Sequence, residues 1–283
     1  MKTLITGTNG FVGRNLMEYF QERTDNLFCP KRQELNLLDS EAVQDYLEKH
    51  QFEAVVHCGV NIYSVEENLK MFFNLERSSE SFGRLICLGS GAEYDMRNYI
   101  PGMKEDYFLK HIPTDVYGFS KYVIAKDIES NPRNIYNLRV FGIFGKYEDY
   151  TRRFISNNIC RVLCSMNISM NKNMFFDYLY VDDFARIVEI FLDNNPSKRS
   201  YNICAEKSID LFTLAKIIKK IDGNKASILI KEEGLNPEYS GNNSMFIDEF
   251  GKFNYTPIET AIKDLYAWYG NEKNIALDPN DFT

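Results

Sequence analysis

The chain has 283 residues, 44% of them hydrophobic, and a formal net charge of -7 at pH 7. This length and composition suffice for one large domain or two unequal lobes. The acidic balance argues against a general nucleic-acid or anionic-membrane surface, because phosphate binding requires clustered Lys and Arg. No uncharged hydrophobic run could cross a bilayer and no signal-peptide pattern is present, so we expect a cytoplasmic protein.

The six cysteines form no metal-binding or disulfide pattern. Most stand singly in hydrophobic runs, C-x-x-C spacing does not occur, and the chain has three histidines. Cys160 and Cys164 lie one helical turn apart, which could bind a metal but also suits two small buried hydrophobic residues. We expect neither a bound metal nor a disulfide framework.

A glycine-rich turn follows the first predicted strand. Leu4 and Ile5 supply that strand, TGTNGFVG at residues 6–13 supplies the turn, and an apolar stripe at helical spacing continues to Phe20. Glycines at such a junction let the backbone approach a pyrophosphate, which the helix N-terminus then attracts. The strand before and the helix after predict dinucleotide binding; glycines that merely make a turn are the alternative.

The first half of the chain alternates short hydrophobic strands with amphipathic helices. We predict strands at residues 27–29, 54–58, 84–88 and 135–140. Asp39 or Ser40 is expected to cap a helix that ends at His50. A second helix is expected to begin at residues 113–115 and to end near Ser130. This alternation predicts an α/β fold with a Rossmann-like, doubly wound parallel sheet.

Beyond Gly145 the predicted elements suggest a smaller mixed α/β lobe. We predict strands at residues 201–204 and 227–230, and helices at residues 210–221 and 257–269. Residues 1–145 would form the dinucleotide-binding domain, and residues 146–283 mainly a C-terminal substrate lobe. A strand and helix at about 175–205 would return to the first domain. The polar tail, residues 271–283, is expected to be loosely held.

Tyr117 and Lys121 stand four residues apart on one predicted helix, so both project from the same face. An ammonium group beside a phenol favours the phenolate, which makes the phenol a stronger general acid toward a carbonyl oxygen. The same spacing recurs in two other pairs, Tyr122 with Lys126 and Tyr269 with Lys273. We favour Tyr117 because the small residues between it and Lys121 would let a flat cofactor ring approach.

Ser90 follows a hydrophobic run at the carboxyl end of a predicted central strand. Ligands of parallel α/β sheets bind at this edge. A hydroxyl there would hold the substrate oxygen that Tyr117 protonates. The alternative is a turn serine before Gly91.

Eight segments occur in a specific order along most of the chain. They are TGTNGFVG at 6–13, LNLLD at 35–39, VVHCG at 55–59, ENLKMFFNL at 67–75, LGSGAEY at 88–94, YGFSK at 117–121, LRVFGIFG at 138–145 and FDYLYVDD at 176–183. Together they resemble the extended short-chain dehydrogenase/reductases that act on nucleotide sugars.

This resemblance implies a catalytic set of Ser90, Tyr117 and Lys121, and a homodimer formed through the helix that carries Tyr117. The implied cofactor contacts, besides Tyr117 and Lys121, are Gly7, Gly10, Phe11, Val12, Gly13, Leu38, Asp39, Cys58, Gly59, Asn68 and Ile143. In the family pattern Asp39 lies near the adenine and Asn68 supports the active-site strands. Taken alone, Asp39 is a helix cap and Asn68 a surface residue.

Basic residues follow the second predicted strand. An NAD-binding chain would place an acidic residue there for the ribose hydroxyls, whereas this chain has Pro30-Lys31-Arg32. Cations suit a 2′-phosphate, so we predict NADP. If Lys31 and Arg32 are solvated loop charges, NAD remains the alternative. The run from Lys31 to Asp39 is also similar to that of the GDP-fucose synthase group, which uses NADPH.

Residues for a further chemical step are missing. Family members that dehydrate their sugar have Asp-Glu after the catalytic hydroxyl, whereas this chain has Gly91-Ala92. GDP-fucose synthases epimerise with Cys and His, and the aligned positions here are Ala92 and Arg153. The remaining Ser-Tyr-Lys set suffices for NADPH-dependent reduction of a 4-keto sugar. An NAD-dependent 4-epimerase and a non-catalytic NAD(P)-binding module are the alternatives.

The substrate side departs from the family pattern. Relatives usually have Asn and Arg where this chain has Gly142 and Phe176. Other cations must then bind the diphosphate of the predicted nucleotide-sugar partner. Arg152, Arg153 and Lys172 are the candidates, although each could be a solvated surface charge.

Overall fold

The computed structural model describes residues 1–282 and confirms the predicted α/β class. The helices are α1 Phe11–Gln21, α2 Ser40–His50, α3 Val65–Glu76, α4 Val116–Ser130, α5 Phe154–Leu163, α6 Val181–Asp193, α7 Leu211–Ile221, α8 Ser244–Phe250 and α9 Ile258–Tyr269. The strands are β1 Thr3–Thr6, β2 Leu27–Phe28, β3 Phe52–His57, β4 Phe82–Ser90, β5 Ile135–Val140, β6 Ile143–Phe144, β7 Ile168–Met170, β8 Phe175–Phe176, β9 Leu179–Tyr180, β10 Ser200–Ile203, β11 Ile209–Asp210 and β12 Ile228–Ile230.

Six parallel strands form the main sheet in the order β10-β5-β4-β3-β1-β2. The register pairs Thr6 with His57 and Ser90 with Val140 at the carboxyl ends of the strands. From β1 the chain adds β2 on one side and then β3 on the other. The crevice beyond β1 and β3 is therefore the topological switch point, where sheets of this kind bind ligands.

Helices cover both faces of this sheet. On one face α1 and α6 supply Leu16, Phe184 and other buried residues to a common core. On the other face α2, α3 and α4 contribute residues such as Leu47 and Phe72. The strands β1 and β5 are buried along their whole length, although β5 includes the polar residues Asn137 and Arg139.

A second hydrophobic core lies between α5, α7 and α9, with the parallel pair β7–β12 beside it. The C-terminal tail packs against this core instead of lying loosely, because Leu277 and Phe282 supply hydrophobic contacts. The side chain of Arg161 donates to the carbonyl of Phe282 at 3.0 Å. Thr283 is outside the described residues.

Two later segments lie against the main sheet. Strand β10 pairs with β5, and α6 packs beside α1. Helix α8, which the sequence analysis did not anticipate, packs its Phe246 and Phe250 rings against Phe191. None of the helices within residues 1–282 is long and hydrophobic enough to span a membrane.

Candidate active site

The three glycines of the loop after β1 have different surroundings. Gly7 has φ +74°, and a Cβ added to it would lie 2.6 Å from the backbone nitrogen of Gly59. A Cβ on Gly13 would lie 2.3 Å from the carbonyl oxygen of Gly7, so both positions require glycine for packing. A Cβ on Gly10 would meet no protein atom closer than 3.4 Å. The open side of Gly10 is where the loop can be approached by a ligand.

A cavity of about 470 Å³ lies at the switch point, beside this loop. Its lining includes six of the predicted cofactor residues: Gly7, Gly10, Arg32, Leu38, Cys58 and Gly59. The other predicted cofactor residues lie outside this lining: Phe11, Val12, Gly13, Lys31, Asp39, Asn68, Tyr117, Lys121 and Ile143. The cavity also has a polar wall from Asn36 and an aromatic wall from Tyr63. The sequence analysis missed both, because it gave Asn36 of the LNLLD segment no role and because Tyr63 lies in none of the quoted segments.

Asp39 and the two neighbouring cations have distinct positions. The carboxylate of Asp39 accepts hydrogen bonds from the backbone N–H groups of Glu41 and Ala42, at 3.1 Å each, and so caps α2. Lys31 and Arg32 are both exposed, but only Arg32 borders the cavity. Arg32 is therefore the better placed of the two to meet a phosphate in the cavity.

Asn68 is a buried connector and not a surface residue. Its Nδ2 donates to the carbonyl of Asn61 at 2.8 Å and to the hydroxyl of Ser120 at 2.9 Å. Its Oδ1 accepts from the N–H of Asn61 at 2.7 Å. These bonds join the loop after β3 to helix α4, at the residue directly before Lys121.

Tyr117 and Lys121 project from the same side of α4. The Lys121 Nζ lies 5.9 Å from the centroid of the Tyr117 ring and donates to the carbonyl oxygen of Leu88 at 2.6 Å. Lys121 is buried, whereas Tyr117 is partly exposed. The ammonium group is thus fixed at the carboxyl end of β4, below the phenol.

His57 connects this ammonium group to the glycine loop. Its Nδ1 lies 2.8 Å from the hydroxyl of Thr6, the residue before Gly7. Burial and, to a smaller extent, the charge of Lys121 together lower the pKa of His57 to about 3, so the imidazole is neutral at physiological pH. The Tyr117–Lys121 pair and the glycine loop therefore meet at the same edge of the sheet.

The turn that carries Ser90 is folded around a buried glutamate. The Ser90 hydroxyl accepts from the N–H of Ala92 at 3.2 Å, which leaves its own proton free to be donated. The carboxylate of Glu93 accepts from the N–H of Ser90 at 2.9 Å and from the guanidinium of Arg139. Burial raises the pKa of Glu93, and the charge of Arg139 opposes that rise. Glu93 is thus engaged in holding the turn.

Gly118 brings helix α4 against this turn. A Cβ on Gly118 would lie 2.8 Å from the carbonyl oxygen of Ala92 and 2.7 Å from the carboxylate of Asp115. Ser120 donates to the carbonyl of Tyr117 at 2.8 Å. The small residues between Tyr117 and Lys121 therefore serve contacts within the protein, whereas the sequence analysis assigned them to the approach of a cofactor ring.

The positions that depart from the family pattern are filled by an aromatic ring. A Cβ on Gly142 would lie 1.8 Å from the carbonyl oxygen of Asp177 and 2.5 Å from Cε1 of Phe176. The asparagine that relatives have at this position does not fit beside Phe176. A side chain at position 142 would therefore meet both the Asp177 backbone and the Phe176 ring.

The three candidate substrate cations lie in different surroundings. Lys172 packs against Gly234, since its Cε would lie 3.3 Å from a Cβ there. Arg153 begins α5 close to Glu148: burial raises the pKa of Glu148 to about 8, and the charge of Arg153 opposes this rise. Arg152 is exposed on the preceding turn. Of the three, Arg153 is the one whose charge faces a buried polar group of the second lobe.

The parallel sheet, the glycine loop at its switch point and the Ser-Tyr-Lys arrangement beside it are those of oxidoreductases of the short-chain dehydrogenase/reductase type. Residues 3–204 match the model of the family described as the NAD dependent epimerase/dehydratase family. Because the match covers most of the chain, the protein belongs to this family, as its sequence motifs indicated.

Several known proteins are similar over nearly the whole chain. GDP-L-colitose synthase from Yersinia pseudotuberculosis is 22% identical, over 97% of this chain and 99% of its own. A GDP-L-fucose synthetase from Naegleria fowleri bound to NADP superposes with a TM-score of 0.82 at 17% identity, covering 98% and 96% of the two chains. A GDP-mannoheptose C4 reductase from Campylobacter jejuni with NADP bound superposes with a TM-score of 0.80 at 20% identity, covering 95% of this chain and 98% of its own. UDP-glucose 4-epimerase from Thermotoga maritima superposes with a TM-score of 0.81 at 19% identity, with the same coverage of the two chains.

Proposed function

We propose that the protein reduces the 4-keto group of a nucleotide-linked deoxysugar with NADPH. The observation that carries the proposal is the position of Lys121, whose ammonium group is held by the Leu88 carbonyl below the Tyr117 ring. A phenol beside a fixed cation is suited to deliver a proton to a carbonyl oxygen. The Ser90 turn packs against the start of the same helix through Gly118.

NADPH, held beside Gly10 and Arg32, would supply the hydride that reduces the carbonyl carbon and would be oxidised to NADP⁺. Tyr117 donates its phenolic proton to the carbonyl oxygen, so that the ketone becomes an alcohol. Ser90 donates a hydrogen bond to the same oxygen and holds the carbonyl in place. Lys121 stabilises the phenolate that Tyr117 becomes, and solvent returns the proton.

The residues of the chain are compatible with NADPH. The open side of Gly10 allows a pyrophosphate to approach the N-terminus of α1. Arg32 borders the adjacent cavity and offers a cation for a 2′-phosphate. The solved fucose synthetase and heptose reductase, both described with NADP, support the same choice.

Two features favour reduction over dehydration or two-centre epimerisation. Gly91 and Ala92 stand where other family members have acid or base side chains, and neither can transfer a proton. The nearest carboxylate in the turn, Glu93, is buried against Arg139. The fold alone does not separate a reductase from a 4-epimerase, since structures of both are equally similar.

The test is a steady-state assay of NADPH oxidation with purified protein and a panel of 4-keto sugars linked to GDP, UDP or dTDP. GDP-linked compounds are tried first, because the colitose synthase, fucose synthetase and heptose reductase all carry GDP in their names. We expect NADPH oxidation with at least one member of the panel. Epimerisation of UDP-sugars without NADPH consumption would contradict the proposal.

A further inference from the structure

Three aromatic side chains from distant parts of the chain form a continuous surface beside the Ser90 turn. Tyr99, Tyr239 and Phe176, called here the aromatic wall, have neighbouring ring centroids 4.8 Å apart, with Tyr239 in the middle. All three residues are partly exposed. A wall of this kind lies outside the Ser-Tyr-Lys set and has no role in the mechanism described above.

The aromatic wall touches the residue that follows Ser90. The Tyr99 hydroxyl donates to the carbonyl oxygen of Gly91 at 2.5 Å. The Tyr239 hydroxyl lies so close to Gly91 that an added Cβ would be 2.5 Å from its oxygen. Both phenols are also near enough to Tyr117 to interact with it electrostatically. The wall therefore borders the space between Ser90 and Tyr117.

The hydrogen bonds of the two tyrosines leave one oxygen available. The two phenol rings are neighbours, with centroids 4.8 Å apart. Because Tyr99 gives its proton to the Gly91 carbonyl, it cannot also donate to the Tyr239 oxygen. The Tyr239 oxygen then keeps lone-pair capacity to accept from a hydroxyl of a bound molecule.

Phe176 explains why the wall can exist in this chain. Its ring fills the space that a side chain at position 142 would need. It contacts Tyr239 on one side and Tyr178 on the other, both with centroids 4.8 Å apart. The two departures from the family pattern thus replace polar groups with a hydrophobic surface, which suits the C–H face and methyl group of a deoxysugar.

From these contacts we infer that the aromatic wall is the sugar-recognition surface of the site, with Tyr239 as its specificity-determining residue. The rings pack against the hydrophobic face of the sugar, and the Tyr239 oxygen accepts a hydrogen bond from one sugar hydroxyl. This inference rests on the proposed function, because it assigns the sugar to the same site.

Equilibrium binding tests the inference without turnover. Calorimetry in the presence of NADP⁺ compares GDP-mannose with GDP, and UDP-glucose with UDP, on the wild type, Tyr239→Phe and Tyr239→Leu. Tyr107→Phe is the matched control, because Tyr107 lies near Tyr99 in sequence but donates to the carbonyl of Asn98, away from Gly91. Unchanged NADP⁺ affinity shows that each variant is folded.

We expect the wild type to bind one nucleotide sugar more tightly than its nucleoside diphosphate. Tyr239→Phe should weaken the binding of that nucleotide sugar about tenfold, and Tyr239→Leu should weaken it more. The affinity for the nucleoside diphosphate should stay unchanged in both variants. The control should bind like the wild type. If both Tyr239 variants keep wild-type affinity for the sugar nucleotide, the inference is wrong while the proposed function stands. If the wild type binds none of these compounds, and does not bind dTDP-glucose or dTDP added to the set either, the proposed function fails as well.

Discussion

The carboxylate of Glu93 accepts a hydrogen bond from the backbone N–H of Ser90 at 2.9 Å. The same carboxylate is paired with Arg139, and both side chains are fully buried. Gly89 makes room for this arrangement, since a Cβ there would lie 2.4 Å from Oε1 of Glu93 and 2.1 Å from Oδ1 of Asn137. The turn that presents Ser90 is therefore built on a buried ion pair.

Glu93→Gln should destabilise the protein, toward the lower end of about 3–5 kcal/mol, because it removes the nearer counter-charge of the buried Arg139 guanidinium and leaves it only Glu129, at 3.6 Å. Urea unfolding followed by circular dichroism measures the change. The control is Glu66→Gln, which removes an exposed ion pair with Lys70 and should leave the unfolding midpoint nearly unchanged. Equal midpoints for the two variants would show that the buried pair does not hold the turn.

Tyr117→Phe should lower the rate of carbonyl reduction by about 10²-fold or more, because the phenolic proton is lost while the ring remains. NADPH affinity, measured by fluorescence titration, should stay near that of the wild type. Tyr122→Phe is the control on the same helix, since Tyr122 packs against Phe108 and belongs to one of the rejected Tyr-Lys pairs. An active Tyr117→Phe enzyme would exclude Tyr117 as the acid.

Arg32→Ala should weaken NADPH binding about 10-fold or more and leave NADH binding unchanged, since only NADPH carries the 2′-phosphate. Lys31→Ala is the matched comparison: it removes a neighbouring cation that does not border the cavity, and its effect should be smaller. Fluorescence titration of the wild type and both variants with NADPH and with NADH gives the six affinities. A protein that prefers NADH in its wild-type form would contradict the assignment of NADP.

Gly10→Ala should lose cofactor binding, whereas Gly13→Ala should lose stability. Gly10 has φ -89° and an open side, so Gly10→Ala should fold normally and lose cofactor affinity. Gly13→Ala should instead lower the unfolding temperature, because its Cβ would collide with the Gly7 carbonyl. Thermal unfolding with and without NADPH separates the two effects. Normal cofactor affinity in Gly10→Ala would place the pyrophosphate elsewhere.

Local sequence patterns predicted the parts of the molecule whose physical cause is local. The glycine loop, the cap expected at Asp39 or Ser40 and the helix start expected at residues 113–115 follow from neighbouring residues. In the structure the two helices are capped by Asp39 and Asp115. The shared face of Tyr117 and Lys121 follows from helical spacing alone.

Contacts between distant segments could not be read from the chain. Taken alone, Asn68 resembles a surface residue of its helix. Only the packing of α4 against it buries its side chain next to Ser120. The aromatic wall joins Tyr99 to Tyr239 across two folded segments, so no short motif marks it. The contact of Phe176 with Gly142 is likewise visible only once β8 is in place.

The central claim is that hydride and proton are added to one sugar ketone by NADPH and Tyr117, and isotope transfer tests it most directly. The protein is incubated with a nucleotide-linked 4-keto sugar and NADPH deuterated at the transferring position, and the product is analysed by mass spectrometry and NMR. We predict one deuterium at C4 of the sugar and one NADP⁺ for each alcohol formed. A 4-keto sugar left unreduced, together with conversion of UDP-glucose to its C4 epimer without deuterium uptake and without net NADPH consumption, would contradict this account and identify a 4-epimerase.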